Sequence, residues 1–240
     1  MSPRKARPLL QAKSLHSLPE QTVGHTRQIL HAFTGPDGNN PTGGLIADQA
    51  GNLYGTTIHG SANNAGVVSE LSPASGGTWN ETVLYSFGSR GDGLSPVGPL
   101  VFDAAGNLYG TTIEGGGTGY QGTVFVLKPT ANGWVETILH RFNQSSGDGF
   151  LPQSGVSFDA SGNLYGTTYE GGLYRQGVAY KLTPNENGRY TESALHTFGS
   201  GPDGAQPVAA PILDPAGNLY GTTTSGGNGS NPMATEQSSR

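Results

Sequence analysis

Gly51-Asn52-Leu53-Tyr54-Gly55-Thr56-Thr57 recurs letter for letter at residues 106–112, 162–168 and 217–223. The copies start 55, 56 and 55 residues apart, and a near-constant period of this length marks a tandem array of one supersecondary unit. The heptapeptide reads as a strand entered through a turn. Asp48, Asp103, Asp159 and Asp214 each stand three residues ahead of a copy. A carboxylate there accepts backbone N–H groups and the Gly takes positive φ, so Asp-x-x-Gly-Asn closes a hairpin.

Working outward, a short apolar run precedes each Asp: Leu45-Ile46-Ala47, Leu100-Val101-Phe102, Val156-Ser157-Phe158 and Ile212-Leu213. Such runs suit a strand covered on both faces. A third strand is expected to start at Gly66, Gly122 and Gly177 and to end at Pro73, Pro129 and Pro184, because proline cannot donate to a ladder. The fourth covers residues 79–87, 134–142 and 190–198, aromatic at both ends, and residues 29–33 repeat its pattern ahead of the first unit. No segment holds a 3.6-residue apolar period.

The expectation is an all-β fold of four-stranded antiparallel units of about 55 residues, which is the pattern of β-propeller blades. One leading strand, three full units and a final half-unit fit a small four-bladed ring, the leading strand completing the half-unit, or a fragment of a larger ring. Residues 1–24 are expected to be a disordered basic leader, 25–229 the propeller repeats, and 230–240 a disordered or truncated tail. Open blade edges would favour self-association.

Composition narrows the function classes. Forty glycines and only 12% charged residues favour turns and short strands over helices. The net charge is −5, yet Arg4, Lys5, Arg7, Lys13 and Arg27 are five of the 12 basic residues. The folded part therefore lacks the basic face of a nucleic-acid binder. With no cysteine, disulfides and thiolate metal sites are excluded. No apolar run reaches the length of a membrane span, so no membrane insertion is expected, and residues 1–24 lack the apolar stretch of a signal peptide.

The combined pattern is an apolar strand, Asp-x-x-Gly-Asn-Leu-Tyr-Gly-Thr-Thr, a Gly-Gly loop, Gly-x-Val-Phe-x-Leu-x-Pro and Trp-x-Glu-Thr-x-Leu-x-x-Phe. It resembles the bacterial GloVer (Gloeo/Verruco) tandem repeat over about residues 27–227. That resemblance implies a propeller-like protein, extracellular or at the cell surface, and no established activity. The family usually carries an export signal, further repeats and an anchor. None is visible in this sequence, and residues 232–237 depart from the expected third strand.

Because chain direction alternates, the loops between second and third strands share one end of each unit with the unit-joining loops. That end is the expected binding face. Its Asp37-Gly38, Asp92-Gly93, Asp148-Gly149 and Asp203-Gly204 read plainly as Asx-type turns. The sharper reading is a carboxylate ring holding a divalent cation or sugar hydroxyls. The loops at residues 59–65, 114–121 and 170–176 differ between copies, as binding loops do. Candidate ligand-binding residues are therefore Glu114, Tyr120, Glu170, Tyr174, Arg175, Asp92 and Asp148, whose aromatic rings and directional polar groups suit a glycan or a protein.

Three lookalikes are set aside: a Gly-x-Gly-x-x-Gly at residues 117–122 with no helix after it, an Arg-Gly-Asp at 90–92 inside a repeat loop, and a sequon at Asn80 within a strand. His31, Tyr85, His140 and His196 share one position of the fourth strand and are read as packing or hydrogen-bonding groups rather than metal ligands. No catalytic residue, cofactor or metal is assigned. The leading expectation is a non-catalytic surface or secreted propeller binding a carbohydrate or protein through one loop face. The alternatives are a propeller-type hydrolase or lyase acting on a glycan, and a truncated fragment without independent function.

Overall fold

A computed structural model describes residues 28–89, 91–117, 121–144, 148–200 and 203–227. The basic leader, the tail, Arg90 and Tyr120 lie outside the described residues. Among the described residues the fold is all-β and antiparallel, with one short 3₁₀ turn, Ser75–Gly77, and no α-helix.

Unit I comprises Asn39–Pro41 and Ile46–Ala47 as a first strand in two pieces, then Leu53–His59, Val67–Pro73 and Trp79–Ser86. Unit II has four continuous strands, Gly93–Phe102, Leu108–Gly115, Thr123–Thr130 and Gly133–Arg141. Unit III repeats them as Gly149–Phe150 with Ser157–Phe158, Leu164–Thr168 with Glu170–Gly171, Val178–Pro184 and Tyr190–Thr197. Unit IV retains two strands in pieces, Gly204–Pro207 with Ile212–Leu213 and Leu219–Tyr220 with Thr223–Gly226. Within a unit the strands pair in chain order.

Two expectations change. The first strand is longer than its apolar run and reaches back to the Asp-Gly pair, where Gly93 pairs with Gly115. Its breaks around Gly43 and Gly155, and a register shift around Gly98, hid it. A Cβ at Gly98 would come within 2.4 Å of the Gly155 nitrogen, and one at Gly43 within 2.4 Å of the Gly98 oxygen. Successive first strands thus approach through glycine. Residues 29–33, expected as a strand, form only an isolated bridge at Ile29. They lie against unit I, where Gln28 Nε2 donates to the Gly77 oxygen at 2.8 Å, and no pairing with unit IV occurs among the described residues.

The heptapeptide is used up by this architecture. In unit II, Asp103 Oδ1 accepts the backbone N–H groups of Ala105 and Asn107, both at 2.9 Å. Its Oδ2 accepts Asn107 Nδ2 at 2.6 Å and Tyr109 Oη at 3.1 Å. Asp48, Asp159 and Asp214 make the same four bonds. Gly110 leaves room for Phe125 and Leu100, whose atoms lie 2.6 and 2.8 Å from where a Cβ would stand. Thr111 Oγ1 donates across to the Ser154 oxygen of the next unit at 2.6 Å, and Thr112 Oγ1 back to the Glu114 oxygen at 2.9 Å.

Replacing Asp103 by Ala removes both acceptor oxygens and the four hydrogen bonds they take, including the one from the Tyr109 hydroxyl. The expected cost is about 2 kcal/mol. That corresponds to a fall in melting temperature of roughly 4–8 °C for a chain of this size. A melting curve unchanged by the substitution would show that the turn does not depend on its carboxylate.

The core lies between consecutive sheets rather than within one. Phe87 of unit I meets Phe125 of unit II at 5.2 Å between ring centroids, and Phe142 meets Tyr180 of unit III at 5.1 Å. Val67, Val68, Leu108, Leu127, Leu164 and Leu182 are almost wholly buried. A repeated backbone bond joins the units: Ser95 N to Ala65 O, Leu151 N to Gln121 O and Gln206 N to Gln176 O, at 2.9, 3.0 and 2.7 Å. Ser95, Leu151 and Gln206 adopt φ of 58°, 55° and 59° to make it. Left-handed backbone outside glycine is costly and persists only where surroundings impose it.

Candidate functional site

Pairing of Gly93 with Gly115, Gly149 with Gly171 and Gly204 with Gly226 brings the Asp-Gly pairs and the second-to-third-strand loops to one end of the units. Backbone bonds fasten them together, from Gly116 N to Asp92 O at 2.8 Å and from Gly172 N to Asp148 O at 3.2 Å.

The Asp side chains turn inward at this end. Asp92 and Asp148 are only 6% and 8% exposed. Asp148 Oδ1 accepts Gly149 N at 2.8 Å, while Oδ2 takes Asn143 N at 3.1 Å and pairs with His140 Nε2 at 3.0 Å. Asp92 accepts Gly93 N, Gly88 N and Tyr85 Oη at 2.7, 3.1 and 3.2 Å. Asp37 with His31 and Asp203 with His196 complete the series, at 2.9 and 2.8 Å. The shared fourth-strand position therefore supplies one ring per Asp, and each ring also meets the Phe two residues on, edge to face.

A β-bulge precedes that ring in each full unit, where the register shifts between Val68 and Ser69, Val124 and Phe125, and Ala179 and Tyr180. The glutamate of the Trp-x-Glu motif lies against the neighbouring corner: Glu81 by Asp37, Glu136 by Asp92, Glu192 by Asp148. Each has its Oε1 buried without a hydrogen-bond partner. Burial first, and the Asp92 carboxylate second, push the Glu136 carboxyl up to about 8. Glu81 and Glu192 are raised the same way, by burial and then by Asp37 and Asp148, against the lowering pull of His31 and His140. Sequence reading quoted these glutamates as part of a motif and gave them no role. Their one visible signal was recurrence at the same step of every unit.

Among the described residues one group of His, Asp and Glu side chains could share an ion, His31, Asp37 and Glu81, with atoms within 4.8 Å of one another. The four Asp-Gly carboxylates do not gather into such a group.

The remaining candidates differ in exposure. Glu114 is the penultimate residue of the second strand of unit II and is exposed, while Glu170 is half-buried opposite Phe150. Tyr174 is 46% exposed beside Leu173 at 78%. Arg175 is exposed and held at φ 58° by a bond from its N–H to the Gly172 oxygen at 3.2 Å. Among the described residues no hydrogen bond or ion pair joins the side chains of Glu114, Glu170, Tyr174 and Arg175. They share an end of the units without forming one network.

A cleft of about 340 Å³ opens on this face in unit II, lined by Gly115, Gly116, Gly117, Gln121, Arg141 and Asn143 with Phe142. Asn63 and Ala65 pack on Gly88, and Tyr174 and Gln176 pack on Gly199. Arg141, Gln121 and Asn143 were absent from the sequence-based candidates. Aligning the repeats would have exposed Arg141, because its register partner Thr123 corresponds to Val67 and Val178, which pair with Ser86 and Thr197.

A second groove, of about 410 Å³, lies at the opposite end between units II and III, with Phe102, Tyr109, Phe158 and Tyr190 among its walls. Its acids, Asp103 and Asp159, are saturated by their own turns.

The Gloeobacter/Verrucomicrobia repeat matches residues 18–233. The chain belongs to this repeat family. Among solved structures, a protein of unknown function from Dyadobacter fermentans DSM 18053 is similar, with a TM-score of 0.50 and 10% identity. The alignment covers 83% of this chain and 60% of that one. The chain thus spans less than two thirds of that relative, and the likeness concerns backbone fold alone. No curated protein matches. In this family member the heptapeptide carboxylates are taken up by hairpin turns and the Asp92 and Asp148 carboxylates bond within their corners, while the loop sequences differ from repeat to repeat.

Proposed function

We propose that this chain is a propeller-type repeat protein of the bacterial surface or exterior that binds a glycan without catalysis. The sheets would be its blades, and the loop face its binding surface. The observation that carries this reading is the unit II cleft. It lies on the face where the loops differ between repeats, and it is lined by amide and guanidinium donors of the kind that sugar hydroxyls accept. On the unit III loop of the same face, the exposed Leu173 and Tyr174 offer an apolar surface suited to a pyranose face. Against catalysis, the most perturbed carboxyl among the described residues, Glu136, has an oxygen enclosed between units. Tyr120, next to the cleft in sequence, lies outside the described residues.

The test is a glycan-array and calorimetric comparison of the wild type with a variant carrying Tyr120, Arg141, Glu170, Tyr174 and Arg175 as Ala. Both proteins are first shown to be folded and equally assembled. Binding that falls at least tenfold in the variant supports the loop face. Unchanged binding moves the site to the opposite groove, and no binding by the wild type removes the glycan reading.

A further inference from the structure

The groove between units II and III, at the end opposite the loop face, is aromatic and acidic at once. Phe102, Tyr109, Phe158 and Tyr190 stand in its walls beside Asp103 and Asp159, and every wall residue lies in a described segment. The rings of Tyr109 and Phe158 meet at 87° with centroids 4.8 Å apart, so their faces form a corner. Along the chain, the position before the turn Asp is Ala47, Phe102, Phe158 and Leu213. The boundary of units II and III is thus the one that sets phenylalanine on both sides.

The two acids keep their charge yet offer no free acceptor. Burial works to raise both carboxyls, but the bonds from Asn107 and Tyr109 to Asp103, and from Asn163 and Tyr165 to Asp159, outweigh it and both are lowered below 3.8. Each Oδ1 and each Oδ2 already accepts two hydrogen bonds, which fills a carboxylate. The Tyr109 hydroxyl donates to Asp103, and the Tyr190 hydroxyl meets that of Tyr109. Among the described residues no lysine, arginine or histidine lines the groove, and no ion pair joins either acid.

We propose that this groove is a second ligand site, independent of the loop face, and takes a quaternary ammonium group, a trimethylammonium cation set in the aromatic corner between the two aspartates. Ring faces are negative and attract such a cation, as do the fixed carboxylate charges, and a group without N–H needs no acceptor. A primary ammonium brings three N–H donors and would meet carboxylate lone pairs that are already taken, so its lost hydration would go uncompensated. A neutral group of the same shape would gain the apolar contact and forgo the charge. The volume of about 410 Å³ is in the range of small-molecule sites.

The full chain is titrated calorimetrically at low salt with choline, with its neutral isostere 3,3-dimethylbutan-1-ol and with its primary-ammonium counterpart ethanolamine. Choline is expected to bind about fivefold or more tightly than either. Tyr190→Leu should erase that preference, whereas Trp134→Leu, which changes the same strand position of unit II, should keep it. In the wild type, choline should shift the amide resonances of Ala104 and Ala160 on the groove walls, a readout that holds even where a variant fails to fold. Phosphocholine and glycine betaine, added in turn, tell a headgroup from a free solute, and binding of either agrees with the proposal. Equal binding of choline and its isostere, or of choline and ethanolamine, overturns it. A preference that survives Tyr190→Leu, shifts confined to other amides, or no binding of any quaternary ammonium overturns it as well.

Discussion

Gly122→Ala is expected to destabilise the array by roughly 3–5 kcal/mol, through backbone strain at positive φ and overpacking together. Gly122 has a φ of 92°, and an added Cβ would lie 2.5 Å from the Thr112 oxygen and 2.6 Å from Pro152 Cδ of the next unit. The first contact is backbone and the second a rigid ring, so neither can give way by a rotamer change. The arrangement repeats at Gly66 against Pro96, 2.6 Å, and at Gly177 against Pro207, 2.7 Å. A fall in melting temperature of about 8–15 °C follows from the size of the chain. Gly133→Ala is the control, since its φ is 112° with nothing within 4 Å; it carries the strain without the crowding. Equal melting of the two variants would show that proline-on-glycine packing does not join the units.

Raising the pH from 5 to 9 should destabilise the wild type, and Glu136→Gln should remove much of that loss. The Glu136 carboxyl is raised from its ordinary value of 4.5 to about 8 by burial and by Asp92, with Arg141 pulling it down. Between those values the folded chain holds a proton that the unfolded chain has released. Its contribution is therefore complete below about 4.5 and is lost as pH rises through 8. Because the group keeps some contact with solvent, the expected loss is on the order of 1–2 kcal/mol. Glu81 and Glu192 are raised too and act in the same sense.

The turn aspartates act oppositely. Burial works to raise Asp103, but the bonds from Asn107, Tyr109 and Ala105 outweigh it and its carboxyl is lowered below 3.8. That stability is present above 3.8 and lost as pH falls through the folded value. Urea denaturation at pH 5, 7 and 9 should thus show a decline across this range in the wild type and a flatter one in Glu136→Gln. Stability that rises toward pH 9 would contradict neutral, proton-holding glutamates at the interfaces.

The repeat period, the antiparallel units, the Asp-x-x-Gly-Asn hairpins and the limits of third and fourth strands were readable because each depends on local chemistry. Pro73 pairs with Trp79, Pro129 with Trp134 and Pro184 with Tyr190, at the strand limits read from proline alone. The long first strand was not readable. Its glycines and prolines resemble loop punctuation when seen one residue at a time, whereas here glycine answers the close approach of neighbouring first strands. Asp92 and Asp148 looked like surface turn residues for the same reason: only the packing of the next unit makes them buried.

The sequence by itself determined which residues each unit must contain, since hairpin turns, ladder limits and positive-φ glycines depend on neighbours a few positions away. The tertiary structure alone decided how units meet, and with that everything about the candidate site. Glu136 keeps its proton through burial first and then through Asp92, a residue 44 positions earlier that the fold sets beside it. Arg141 borders a cleft because the fold sets it beside the glycines at residues 115–117. Charge and burial act through space, and no period in the sequence records which side chains the stacking of sheets will bring together.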